Sequence, residues 1–154
     1  MQFFVRSRFD AESMGDEHAG EPHLIISVSC PGDPPARLPT WPTTLHVERL
    51  QFSDMDSAAG LHESVAHELF TREQAASILR AVKRHANAER IIVHCGAGLS
   101  RSPAIAAALT KILGGDDSGY FKRYMPNMWV YRLLLEEHRS QLDAQAPSGA
   151  GAGC

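Results

Sequence analysis

Residues 91–103 read Ile-Ile-Val-His-Cys-Gly-Ala-Gly-Leu-Ser-Arg-Ser-Pro, and they dictate a local architecture. The apolar run Ile91–Val93 predicts a short buried strand. The alanine-rich stretch that opens with Ser102, Pro103 and Ala104 predicts a helix, with Pro103 suited to a first turn where its missing N–H goes unnoticed. Only a tight loop can join the two. Its glycines, Gly96 and Gly98, permit backbone angles that side chains forbid. A helix start carries unpaired N–H groups and partial positive charge, so a loop feeding it forms an anion cradle. Cys95 opens this loop and Arg101 closes it. Arg101 supplies a planar fork that grips two oxygens of a phosphate. Cys95 in that field is expected as a thiolate, the form that attacks phosphorus.

A bare Cys-x5-Arg is weak evidence, since a buried cysteine and a surface arginine can fall at that spacing by chance. Here the strand before the motif and the helix after it agree with the longer string His-Cys-x-x-Gly-x-x-Arg-Ser. That string, carried by His94, Cys95, Gly98, Arg101 and Ser102, resembles the signature of the cysteine-dependent protein tyrosine phosphatase superfamily. The resemblance spans roughly residues 20–142 and is nearest to small bacterial-type phosphatases of the dual-specificity group. It implies an α/β fold: one domain with a small twisted central sheet flanked by helices. It also implies a set of roles. Cys95 is the nucleophile, and Arg101 binds phosphate and the transition state. Ser102 helps the thiolate leave, and His94 orients the loop and tunes the thiol. The backbone N–H groups of Gly96, Ala97, Gly98, Leu99, Ser100 and Arg101 cradle the phosphoryl oxygens.

Such a reaction needs a proton on the leaving oxygen, and a carboxylic acid on a neighbouring loop can donate it. The stretch Leu-Gln-Phe-Ser-Asp-Met-Asp, 50–56, resembles the family's acid loop. Asp54 aligns best as the acid, with Asp56 as the alternative; either could instead cap a turn. Pro126-Asn127 resembles a pair that dual-specificity phosphatases carry before their last helix. Asn127 is read as an N-cap there, or as a brace for the active-site loops.

The chain of 154 residues is long enough for one domain with a core. A formal charge of −3 argues against a general nucleic-acid binder. Three cysteines, Cys30, Cys95 and Cys154, lack the spacing of a disulfide framework or a metal site. A reactive thiolate needs a reducing compartment, and the N-terminal apolar run is too short for a signal peptide or a membrane span, so the expected location is the cytoplasm. The expected partner is a phosphorylated protein substrate, with no nucleic acid and no membrane, and the protein itself is expected as a monomer. No cofactor and no metal are expected.

Along the chain, strands are expected at Phe3–Val5, Leu24–Val28, Leu45–Phe52 and Ile91–Val93, the last of them central. Residues 10–22 and the proline-rich stretch 31–42 read as loops, and 53–69 as a long polar connection that could form a lid. Thr71 and Gln74 fit a capping box for a helix with Ala75, Ile78, Leu79, Val82 and Ala86 on its apolar face. A helix from Arg101 to Leu113 should stop at Gly114-Gly115. Asp116 or Asp117 should cap a short helix that runs to Tyr124, and a last helix should cover about 128–142. The domain is expected over 1–143 with a flexible tail over 144–154.

Other signals carry less. His62-Glu63 with His67 has the wrong spacing for a zinc-binding helix. Cys30 reads as a buried structural thiol, with a reversible disulfide to Cys95 as the alternative. Trp41 and Trp129 read as packing residues. Competing chemistries are a phosphatase for phosphoinositides, inositol phosphates or RNA 5′-ends, a sulfurtransferase or arsenate reductase, and a phosphopeptide-binding module without turnover. Members of the resembled superfamily with highly charged substrates often place Lys inside the loop, and here Gly96, Ala97, Leu99 and Ser100 are neutral. Arsenate reductases want further cysteines, and binding modules typically lose the Cys or the Arg.

Overall fold

The computed structural model describes residues 1–56 and 68–146. Four strands form one parallel sheet: β1 (Gln2–Ser7), β2 (His23–Ser29), β3 (Thr44–Gln51) and β4 (Arg90–Cys95), in the order β1-β4-β2-β3. The strand that carries Cys95 therefore lies inside the sheet. Because its Ile91, Ile92 and Val93 are wholly buried, the apolar run predicted as central is central. A register shift between His23 and Leu24 leaves Leu45 without a partner, so β3 is bulged at its start.

Helices α1 (Arg8–Glu12), α2 (Arg72–Arg84), α3 (Arg101–Ile112), α4 (Ser118–Arg123) and α5 (Met128–Gln145) complete the described elements, with a 3-10 turn at Asp16–His18. The stretch 10–22 is thus not a plain loop. Ser7 caps α1 by accepting from the Asp10 N–H, a local bond that a five-residue helix gives no periodicity to announce. At α2 the Thr71–Gln74 capping box is complete, both reciprocal bonds being made. At the end of α3 the N–H of Gly115 reaches Thr110 and that of Gly114 reaches Lys111, with Gly114 at φ +87°, a Schellman stop. Asp117 stands at the N-cap position of α4, but its side chain instead accepts from the Tyr131 hydroxyl of α5. Burial and that carboxylate push the Tyr131 pKa up to about 12. Helix α5 runs three residues past the expected 142. Residues 147–154, most of the expected tail, lie outside the described part, as do His62, Glu63 and His67.

The main core lies between one sheet face and helices α2, α3 and α5. Ala104, Ala106, Ala107 and Ala108 are fully buried, and these small side chains let α3 approach closely. The other face holds a smaller cluster in which Met14, Ile25 and Ile92 meet Phe4, Leu38, Trp41 and Val47. Trp41 is a packing residue, edge-on to His23. Trp129 packs on the main core and donates its indole N–H to the Phe70 carbonyl at 2.8 Å. Since all four strands are parallel, their carboxyl ends share one edge. Ser7, Cys30, Phe52 and Cys95 all come to that edge, where ligands bind in sheets of this kind.

Candidate active site

The loop after β4 is held on two sides. Beneath it, the Arg8 N–H donates to the Gly96 carbonyl at 3.0 Å, so the junction of β1 and α1 braces the loop. Gly98 sits at φ +74°, and a Cβ there would fall 2.7 Å from the Ser7 nitrogen and 2.8 Å from the Arg6 carbonyl carbon. Both the dihedral angle and the close approach demand glycine. From the far side, the N–H groups of Met125 and Asn127 donate to the carbonyls of Leu99 and Ser100, at 3.1 and 3.0 Å.

Cys95 is 2% exposed. Its sulfur receives the Gly98 N–H at 3.2 Å and lies 3.2 Å from the Ser102 hydroxyl. Both are groups that stabilise negative charge on sulfur, at the start of α3 where the helix dipole is positive. The Ser100 side chain makes no bond to the helix it precedes. Its hydroxyl turns away and donates to Asp54 Oδ1 at 2.8 Å.

His94, fully buried, is fixed by its two ring nitrogens. Nδ1 faces the Cys95 carbonyl at 3.4 Å, so Nδ1 carries the proton. Nε2 then accepts from the Ser27 hydroxyl at 2.6 Å. Burial lowers the pKa of the imidazole, so it stays neutral at neutral pH.

Arg101 is 7% exposed. Its Nη1 donates to the Phe52 carbonyl at 2.9 Å and to Cys30 Sγ at 3.4 Å. Nη2 lies beside the loop, 3.3 Å from where a Gly96 Cβ would be. Nε is buried with no hydrogen-bond partner among the described residues. A buried guanidinium N–H without an acceptor is costly, and it points to a ligand oxygen.

Asp54 follows β3 on a turn closed by Ser53, whose N–H and hydroxyl both donate to Glu68. Asp54 Oδ1 accepts from Ser100 Oγ and from Asn127 Nδ2, each at 2.8 Å. Asn127 also donates to the Met55 carbonyl and accepts the Val130 N–H as N-cap of α5, so it serves both roles considered for it. Asp56 lines the same cavity as Asp54, of about 950 Å³, with Leu99, Ser100 and residues 121–127. Among the described residues, the Asp56 side chain makes no hydrogen bond to the loop. Ser27 and the Cys30–Arg101 contact are functional features that the sequence pattern does not announce. A lone serine inside the buried run Leu24–Val28 was the available signal for Ser27.

This fold is that of the dual-specificity-type cysteine phosphatases. It is shared with human DUSP28, at 20% identity and a TM-score of 0.52 over 94% of this chain and 95% of that one. It is shared also with the human tyrosine phosphatase-like serine/threonine/tyrosine-interacting protein, at 16% identity and a TM-score of 0.58 over 91% and 93%. The structure of PTPMT1 in complex with PI(5)P gives 16% identity and a TM-score of 0.51 over 94% and 95%. No family model matches the sequence, and no curated protein matches it.

Proposed function

We propose that this chain is a cysteine-dependent phosphatase that hydrolyses phosphotyrosine in proteins, with phosphoserine and phosphothreonine as further substrates. One observation carries the reading. A buried thiol receiving a loop N–H and facing a hydroxyl shares its loop with a buried arginine whose Nε lacks an acceptor. The Cys95 thiolate attacks phosphorus, forming an S–P bond as the bond to the leaving oxygen breaks. Asp54 gives that oxygen its proton. Both donors on Asp54 fall on Oδ1, which leaves Oδ2 to carry the proton. Asp54 then accepts a proton from the water that attacks the phospho-cysteine. Ser102 donates to the departing thiolate, and Arg101 Nε and Nη2 hold two phosphoryl oxygens throughout. The bonds from Ser100 and Asn127 favour Asp54 over Asp56 in this role.

Metal-free hydrolysis of p-nitrophenyl phosphate tests the reading, with loss of activity in Cys95→Ser as the expected result. Turnover that needs a metal and survives Cys95→Ser would refute it. A second reading, a phosphoinositide phosphatase, draws support from the shared fold with PTPMT1, solved with PI(5)P, and from Lys122 and Arg123 on the cavity beside the loop. The neutral side chains inside the loop favour the protein substrate. Phosphatidylinositol phosphate vesicles assayed beside phosphotyrosine peptides separate the two.

A further inference from the structure

Resting on the phosphatase reading, we propose that Cys30 is a positioning residue that sets the plane of the Arg101 guanidinium. Among the described residues, no carboxylate pairs with Arg101. Its Nη1 has two hydrogens, and each has an acceptor: the Phe52 carbonyl beyond β3 and the Cys30 sulfur beyond β2. Those N–H bonds lie in the guanidinium plane, so two acceptors fix the plane where one would leave it free to swing. The plane so fixed leaves Nη2 beside the loop and Nε buried with no partner among the described residues.

Cys30 is itself anchored. Cys30-Pro31-Gly32-Asp33 forms a β-turn in which the Asp33 N–H donates to the Cys30 carbonyl at 3.1 Å, with Pro31 second and Gly32 third at φ +87°. This turn directly follows β2, the neighbour of the strand that carries Cys95. With no carboxylate among the described residues paired to it, the charge of Arg101 is not cancelled by an acidic side chain and is available to a phosphoryl dianion.

The test compares Cys30→Ala with Cys30→Ser, which keeps an acceptor. Guanidinium ¹⁵N NMR reads rotation of Arg101 in the protein itself and does not depend on turnover. Tungstate titration reads oxyanion affinity, and p-nitrophenyl phosphate turnover reads kcat/KM. Cys30→Ala is expected to speed guanidinium exchange and to weaken tungstate binding and kcat/KM by about 3- to 10-fold, the loss of one modest hydrogen bond. Cys30→Ser should stay within about twofold of wild type, a recovery that filling space alone would not favour over alanine. Unchanged Arg101 exchange and tungstate affinity in Cys30→Ala overturn the proposal. Equal losses in both variants with a matching fall in Tm overturn it too, since they assign Cys30 to packing. If Arg101 responds as expected while the wild type hydrolyses no phosphate ester, the positioning role stands and the phosphatase reading falls.

Discussion

Ser100 Oγ donates to Asp54 Oδ1 at 2.8 Å across 46 residues of sequence, tying the anion loop to the loop that carries the candidate acid. A serine at the N-cap position would ordinarily bond to the first turn of its helix. Here its hydroxyl is diverted, so it does not compete with an anion for the N–H groups of the helix start. The same carboxylate oxygen takes Asn127 Nδ2, and Asn127 caps α5. The loop after β4, the turn after β3 and the start of α5 thus meet at one oxygen atom.

This arrangement predicts how the two aspartates differ. Asp54→Ala should lower kcat about 10²-fold or more on alkyl or phenyl phosphates, the usual contribution of a general acid. The loss should shrink on esters whose leaving group needs no proton. Asp56→Ala should stay near wild type. Leaving-group dependence in a series of aryl phosphates measures this, and the reverse pattern would transfer the acid role to Asp56.

The Ser102 hydroxyl at 3.2 Å from the Cys95 sulfur predicts a kinetic split. Ser102→Ala should slow breakdown of the phospho-cysteine more than its formation. Rapid mixing with p-nitrophenyl phosphate should then give a burst of nitrophenolate followed by slow turnover. Turnover equal to wild type with no burst would remove Ser102 from the second step.

Gly98 is under two constraints, its positive φ and its contact with the Arg6–Ser7 peptide. Gly98→Ala should cost about 2–4 kcal/mol of stability, or displace the loop from β1. Urea denaturation measures the first, and loss of tungstate binding in a still folded protein reports the second. A variant with wild-type stability and binding would contradict the close packing.

Two buried histidines set a pH dependence. Burial lowers the pKa of His94, and burial with Arg90 and Arg6 nearby lowers that of His18 despite Glu17. In the unfolded chain both titrate near about 6.5. Between that value and their lower folded values, the unfolded chain binds more protons, so stability is present above about pH 6.5 and falls as the pH drops below it. The slope is at most about 1.4 kcal/mol per pH unit for each histidine. Urea unfolding at pH 7.5 and 5.5 should show the loss, and His94→Gln should flatten it. An equal slope in that variant would show that His94 does not contribute.

The anion loop was legible in the sequence because everything that forms it is local. An apolar run makes β4, two glycines allow the turn, and Pro103 with a run of alanines makes α3. The capping box at Thr71, the Asn127 cap and the glycine stop of α3 were legible for the same reason: each bond spans only three to five residues. Helix α1 escaped because one turn shows no apolar period. The tertiary structure alone decided which aspartate meets the loop, where the Ser100 hydroxyl goes, what aims Arg101 and what holds His94. Those bonds join residues 46 to 73 positions apart in sequence. Nothing local favours one partner over another at such distances. The parallel sheet, which brings the carboxyl ends of β2, β3 and β4 to one edge, and the packing of α5 on α3, which delivers Asn127 there, make them neighbours.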